Sequence, residues 1–234
     1  MIERRVRYFE QPGKRNTAQT IEAVRAYLAE CGEAAALVIA SISGETAVKV
    51  KDAMKGLQIP LVCVTGAPSW QNLPEYHLPL IPLERRAELE EAGVVVVDCV
   101  PSSLSDTIEF SYARYGFRSP TWLFVEALLA MGGYGLKTAV ECVLVATDGG
   151  FITPFKDVVS VAGTDKGADT AIVVRSTFSS TVFSSDPKKR LVLKELLAVP
   201  REKIFYSTVG PGAGEWQIEE ARKQVGSGEA NGRP

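Results

Sequence analysis

Three continuous apolar runs, the second ending at Thr65 and the third at Asp98, set the frame of the chain: residues 36–40, 60–65 and 94–98. Each is short enough for a strand. Each is also continuous rather than alternating, the pattern of a strand covered on both faces within a parallel sheet. Between the first two lies a helix-compatible segment that starts after Gly44, runs to about Lys55 and stops at Gly56. Strand, helix and strand within about 30 residues make a βαβ unit. A charged helix at about 84–92 leads through Gly93 to the third strand, so the pattern repeats.

Upstream, residues 6–9 alternate like a short strand, and Pro12-Gly13 marks a turn. Asn16 or Thr17 is placed to cap a helix over about 17–31, where Ile21, Val24, Ala26, Leu28 and Ala29 approach an i, i+3, i+4 rhythm before Gly32. Residues 66–83 read as a proline-rich loop carrying Trp70 and Tyr76. Helices are predicted at 105–115 and 120–130, the second with Pro120 at a favoured first-turn position, and Gly132-Gly133-Tyr134-Gly135 interrupts the chain after them. Segment 136–147 fits a helix or a buried strand. A helix is preferred because Leu136, Val140, Val143, Leu144 and Thr147 share a helical face, with Asp148-Gly149-Gly150 ending it.

Two β-rich runs, 157–162 and 170–175, are joined by the glycine-flanked loop 163–169 and predict a β-hairpin. A short helix is expected at about 187–197, and the Gly-, Ser- and Glu-rich end of the chain is expected to be disordered. The fold class that follows is α/β: three layers, αβα, around a mostly parallel sheet with the hairpin at its edge. The predicted organisation is an α/β domain over 1–180, an extension with a short helix over 181–215 and a disordered tail over 216–234.

Composition narrows the function classes. The 234 residues are 46% hydrophobic and 23% charged, ordinary values for a globular chain. A net charge of −2, with basic residues dispersed among acids, argues against a nucleic-acid surface. No uninterrupted apolar run nears the roughly 18 to 20 residues that span a bilayer, and the N-terminus lacks a secretory apolar segment, so no membrane partner and a cytoplasmic location are expected. Cys31, Cys63, Cys99 and Cys142 stand far apart without a Cys-x-x-Cys pair, and read as inert thiols in a reducing compartment. The single histidine, His77, cannot build a multi-histidine metal site, so no metal is expected.

The candidate chemistry lies where the first long strand ends. In Ala40-Ser41-Ile42-Ser43-Gly44-Glu45-Thr46 the apolar run gives way to small polar residues just before a helix. The first turn of a helix leaves N–H groups unpaired and carries the positive end of the helix dipole, so a phosphate fits there. Ser41, Ser43 and Thr46 add hydroxyls, and Gly44 permits close backbone approach. The competing reading is that Ser43 merely caps the helix. The P-loop pattern is absent, since no Gly-Lys-Ser/Thr follows the glycine.

Several stretches together carry a family resemblance: Tyr8 through Thr17, the Ser41 turn, Gly133-Tyr134-Gly135-Leu136-Lys137, Ala146-Thr147-Asp148-Gly149-Gly150, and Gly163-Thr164-Asp165-Lys166-Gly167-Ala168-Asp169-Thr170-Ala171. Over roughly residues 5–176 the chain resembles the archaeal and bacterial stand-alone proteins that look like the C-terminal α/β domain of pyruvate kinase. In pyruvate kinase a Ser/Thr-rich turn and a glycine-rich hairpin loop hold the phosphates of a sugar bisphosphate; the Ser41 turn and the 163–169 loop look like these two elements. Two departures matter. Glu45 stands where that turn usually carries a basic residue, and nothing resembles the barrel domain with its metal-binding carboxylates and catalytic lysine, so kinase chemistry is not expected.

The stand-alone family is implied to bind flavin mononucleotide (FMN). By resemblance, Thr17, Ser41, Ser43, Gly44, Glu45, Thr46 and Thr65 surround the phosphate and ribityl chain, with Asp148, Gly163, Lys166 and Asp169 facing them. Asp148 and Asp169 are equally readable as capping and turn-forming residues, and Lys166 as a solvated loop lysine. Three functions stay open: a module that binds a phosphorylated small molecule, a flavin-dependent oxidoreductase with Glu141, Asp148 or Tyr134 as proton source, and a sugar-phosphate-responsive regulatory domain. A homo-oligomer is compatible with each.

Overall fold

In the computed structural model the described residues are 1, 3–31, 34–68, 80–100, 104 and 117–203. Seven strands form one sheet: β1 (Arg7–Phe9), β2 (Leu37–Ala40), β3 (Leu61–Thr65), β4 (Val95–Asp98), β5 (Asp157–Ala162), β6 (Thr170–Arg175) and β7 (Val192–Pro200). Their spatial order is β1-β7-β6-β5-β2-β3-β4. Every neighbouring pair is parallel except the two made by β6, so six strands share one direction and β6 opposes them.

Among the described residues four α-helices cover the sheet: α1 (Thr17–Cys31), α2 (Glu45–Ala53), α3 (Leu83–Glu91) and α4 (Pro120–Asp148). The continuous apolar runs of the strands are explained by what lies on each side. Alternate residues Leu37, Ile39, Cys63, Val159 and Val173 pack with Val24 of α1, Val50 of α2 and Leu89 of α3. Their neighbours Val38, Val62, Val64, Val158 and Val174 pack instead with Val140, Val143 and Leu144 of α4. The molecule is therefore a three-layer αβα structure with a mostly parallel sheet.

The helix predicted over 136–147 is present, but it is continuous with the one at 120–130. Together they form 29 residues whose helical path is broken only at Gly133, at φ 74° and ψ −170°. Glycine tolerates this left-handed φ where other residues are strained. Just beyond the kink Gly135 lies against β6: a Cβ there would stand 2.0 Å from Thr170 Oγ1. Read as two halves the sequence showed no run of spanning length. Joined, α4 is long and apolar enough to cross a bilayer, yet 72% of its most apolar window is buried inside the domain, as befits a core helix.

Two expectations are corrected. The hairpin β5–β6 is real but lies inside the sheet, because β7 pairs with β6 and β1 pairs with β7. Residues 192–200, read as part of a short helix in an extension beyond 180, form that interior strand β7. Two register shifts against β6, at Ala171/Ile172 and Val173/Val174, explain the misreading. Each inserts an extra residue, Leu197 and Lys194, and so destroys the period-2 alternation that marks a strand. The helix expected at 105–115, His77 and the tail at 216–234 lie outside the described residues.

Candidate functional site

The sheet places the functional candidates by its topology. β2 and β5 are adjacent and parallel, with Leu37 beside Val159 and Ile39 beside Val161. After β2 the chain moves through α2 to β3 on one side; after β5 it moves to β6 on the other. Open α/β sheets hold their ligands outside the carboxyl ends of the strands, at a point where connections diverge. The Ser41 turn and the 163–169 loop are the two connections that leave this point.

The Ser41 turn is built by the serine itself. Ser41 is 6% exposed, and its Oγ accepts hydrogen bonds from the amides of Thr46 (3.1 Å) and Ala47 (3.3 Å). Ser41, not Ser43, thus satisfies the first turn of α2, and Gly44 at φ 80° makes no side-chain cap. Two of the amides that an incoming phosphate would use are already engaged. With both lone pairs occupied, Ser41 retains one O–H donor. Thr46 is buried beside it.

Gly44 serves a neighbour that sequence reasoning missed. Arg85 of α3 crosses the turn, its Nη1 donating to Ser43 O at 2.8 Å. A Cβ on Gly44 would stand 2.6 Å from Arg85 Cδ and 3.0 Å from Ile81 Cδ1. The close approach expected of a ligand's backbone contact is therefore occupied by an arginine stem. Glu45, half exposed, pairs with Lys14 at 3.4 Å, so its charge is met by a cation from the segment before α1. Nothing in local sequence linked Arg85 or Lys14 to this turn, because both contacts span more than 30 residues.

The second connection is locked from several directions. Asp169 is fully buried; its Oδ2 accepts from the amides of Gly13 (2.8 Å) and Thr164 (3.2 Å) and its Oδ1 from the Thr170 hydroxyl (2.9 Å). Thr17 Oγ1 accepts from the Ala168 amide at 3.0 Å and donates to Lys14 O at 2.7 Å. Gly163 and Gly167 close the loop on itself, since a Cβ on Gly163 would meet Gly167 O at 2.4 Å. Lys166 is exposed. Lys203, just past β7, donates to the carbonyls of Pro200 and Arg201, and burial holds its ammonium below the usual lysine range despite the nearby Glu202 and Asp169 charges.

At the ends of β3 and β4, Thr65 Oγ1 lies 3.0 Å from Gly66 O and 3.3 Å from Asp98 Oδ1, and Arg86 pairs with that same aspartate. Thr17, Ser41, Ser43, Gly44, Glu45, Thr46, Thr65, Gly163, Lys166 and Asp169 therefore gather at one end of the sheet. Asp148 does not. It closes α4 immediately before β5 begins, at the amino ends of the parallel strands, where it accepts bonds from the Ser179 amide (2.9 Å) and hydroxyl. The helix direction, antiparallel to β5, puts it there.

Two further features stand apart. A groove of about 440 Å³ between α1 and α2, lined by Ile21, Glu22, Arg25, Asp52 and Lys55, lies on the outer helical layer. Within α4, Lys137 and Glu141 form a buried pair at 2.6 Å, and Glu141 Oε1 also accepts from the Leu104 amide at 3.2 Å. Among the described residues no group of three or more His, Cys, Asp or Glu side chains is arranged to hold a metal ion. A scan against models of known protein families matches none.

Proposed function

We propose that this chain is a binding module for a small phosphorylated ligand, with FMN the leading candidate, held at the carboxyl ends of β2 and β5. The observation that carries the reading is the switch point: the two connections that resemble the phosphate-holding elements of pyruvate kinase leave adjacent parallel strands in opposite directions. In the same reading the domain is a stand-alone relative of the pyruvate kinase C-terminal domain. The donor set suits one phosphoryl group: the Ser41 and Ser43 hydroxyls, the Arg85 guanidinium and the Lys14 ammonium. Bound flavin would supply hydride or single-electron chemistry. Thr17, Asp169 and Gly163 would hold the loop that faces the ligand.

Binding is favoured over oxidoreductase chemistry by the state of the acids named as proton sources. Glu141 is committed to Lys137 and the Leu104 amide, and Asp148 lies at the other end of the sheet. The test is a titration of the purified, dialysed chain with FMN, followed by quenching of flavin fluorescence. Saturable one-to-one quenching is expected; its absence up to millimolar flavin would overturn the flavin assignment.

A further inference from the structure

The first turn of α2 is a poor source of anion-binding amides, because Ser41 Oγ already accepts from Thr46 and Ala47. If a phosphate sits at this turn, its charge must be met by side chains. Two cations reach it, from opposite sides. Arg85 arrives from α3 and spends one of its five N–H donors on Ser43 O, which fixes the guanidinium over the turn and leaves four donors for a ligand or water. Lys14 arrives from the segment before α1, whose backbone is held against the 163–169 loop: a Cβ on Gly167 would lie 3.0 Å from Lys14 Cα. Its ammonium points across to Glu45 at 3.4 Å, and both side chains are more than half exposed, at 57% and 52%.

An ion pair that exposed contributes little, so a better anion can displace the carboxylate at small cost. A phosphomonoester is a better anion: it carries up to two charges and three acceptor oxygens, and it matches a guanidinium fork bidentately. Glu45, in turn, disfavours a second phosphate in the same place.

We propose that Arg85 and Lys14 are the residues that make this site specific for a single phosphoryl group, with Glu45 holding Lys14 until the ligand takes it over. The inference rests on the binding site proposed above and adds to it the source of the charge and the direction of each residue's effect. Glu45 becomes a competitor of the ligand rather than one of its contacts.

The experiment compares FMN with riboflavin, which lacks the phosphate, on the full-length chain by fluorescence quenching. The wild type should prefer FMN by about tenfold or more. Arg85→Gln and Lys14→Gln should each reduce that preference to less than about threefold while leaving riboflavin affinity unchanged, and Arg85→Lys should recover part of it. Glu45→Gln should tighten FMN alone, by about two- to fivefold, and raise the salt sensitivity of binding. Should Arg85→Gln fail to fold, judged by its thermal midpoint, the exposed Lys14 and Glu45 variants decide. A wild-type FMN preference that survives Lys14→Gln, or FMN binding weakened by Glu45→Gln, would overturn the charge assignment and leave the binding site standing. Equal affinity for the two flavins would also overturn it. Binding of neither flavin would overturn both.

Discussion

The Thr17 hydroxyl accepts the Ala168 amide at 3.0 Å, joining the first residue of α1 to the far end of the β5–β6 loop, 151 positions away. The same hydroxyl donates to Lys14 O at 2.7 Å, so one side chain sets the spacing between the segment that carries Lys14 and the loop that it faces. Thr17→Val keeps the shape and removes both bonds. Because each leaves a buried or half-buried backbone group without its partner, the variant should lose about 2 kcal/mol of stability in urea unfolding. Hydrogen exchange at Ala168 should accelerate beyond what that global loss explains; an Ala168 amide as protected as before would show that the loop holds without Thr17.

Gly44 combines a φ of 80° with a 2.6 Å approach to Arg85 Cδ. In Gly44→Ala the left-handed backbone alone costs about 1–2 kcal/mol, and the new methyl must push the arginine stem away. A thermal midpoint lowered by several degrees is expected, together with weaker FMN binding. A variant as stable as the wild type would mean that the turn relaxes to a different path.

The Lys137–Glu141 pair is the most deeply buried ionic contact among those described, with side chains 11% and 8% exposed. Removing one partner strands a charge in the core, so Lys137→Met should cost about 3–5 kcal/mol. Replacing both, in Lys137→Met/Glu141→Leu, should be milder than the single change, since the stranded carboxylate goes with it. Chemical denaturation of the three proteins reads this directly, and a double variant worse than the single would show that Glu141 is needed for the Leu104 amide more than for the lysine.

Alkaline pH should loosen the fold in a defined window. Burial pushes the Cys63 thiol up to about 12 and the Cys142 thiol higher than its ordinary range, and burial followed by the Glu195 charge pushes the Tyr27 hydroxyl up to about 12. Their unfolded values are lower, about 8.5 for a thiol and about 10 for a phenol. The unfolded chain therefore gives up protons first as pH rises. The stability these groups contribute is complete below about pH 8 and drains away between there and about pH 12. Tyr27→Phe should flatten the part of that decline above about pH 10, and an unchanged slope would place the loss elsewhere.

Much of the layered architecture was legible because its cues are local. The continuous apolar runs at 37–40 and 61–65 and the limits of α1, β5 and β6 follow from period, glycine stops and caps. What escaped was set at long range. Bulges blurred the alternation of β7, and pairing with β1 and β6 supplied what local propensity did not. The interior position of the hairpin followed from that strand. At the site, the small polar residues announced a turn, but only the assembled sheet reveals that Ser41 has already used its amides, that Arg85 covers Gly44, and that Asp148 ends its helix on the wrong side. The two cations were unreadable because a salt bridge across 31 positions and a hydrogen bond across 42 leave no spacing signal.

The pairing of β1 with β7 bears on how the chain is made. Arg7 lies beside Ala198, so β1, made before the other six strands of the sheet, has no neighbour until nearly the whole described chain has followed it. The segment after β1, which carries Gly13, Lys14 and Thr17 to the strand ends, is tethered on that side by a late contact. Closing so long a loop is slow relative to the local βαβ unit of β2, α2 and β3. The Ser41 turn can therefore form early, while the cation that answers Glu45 is fixed only once the distant 163–169 loop and β7 have joined the sheet.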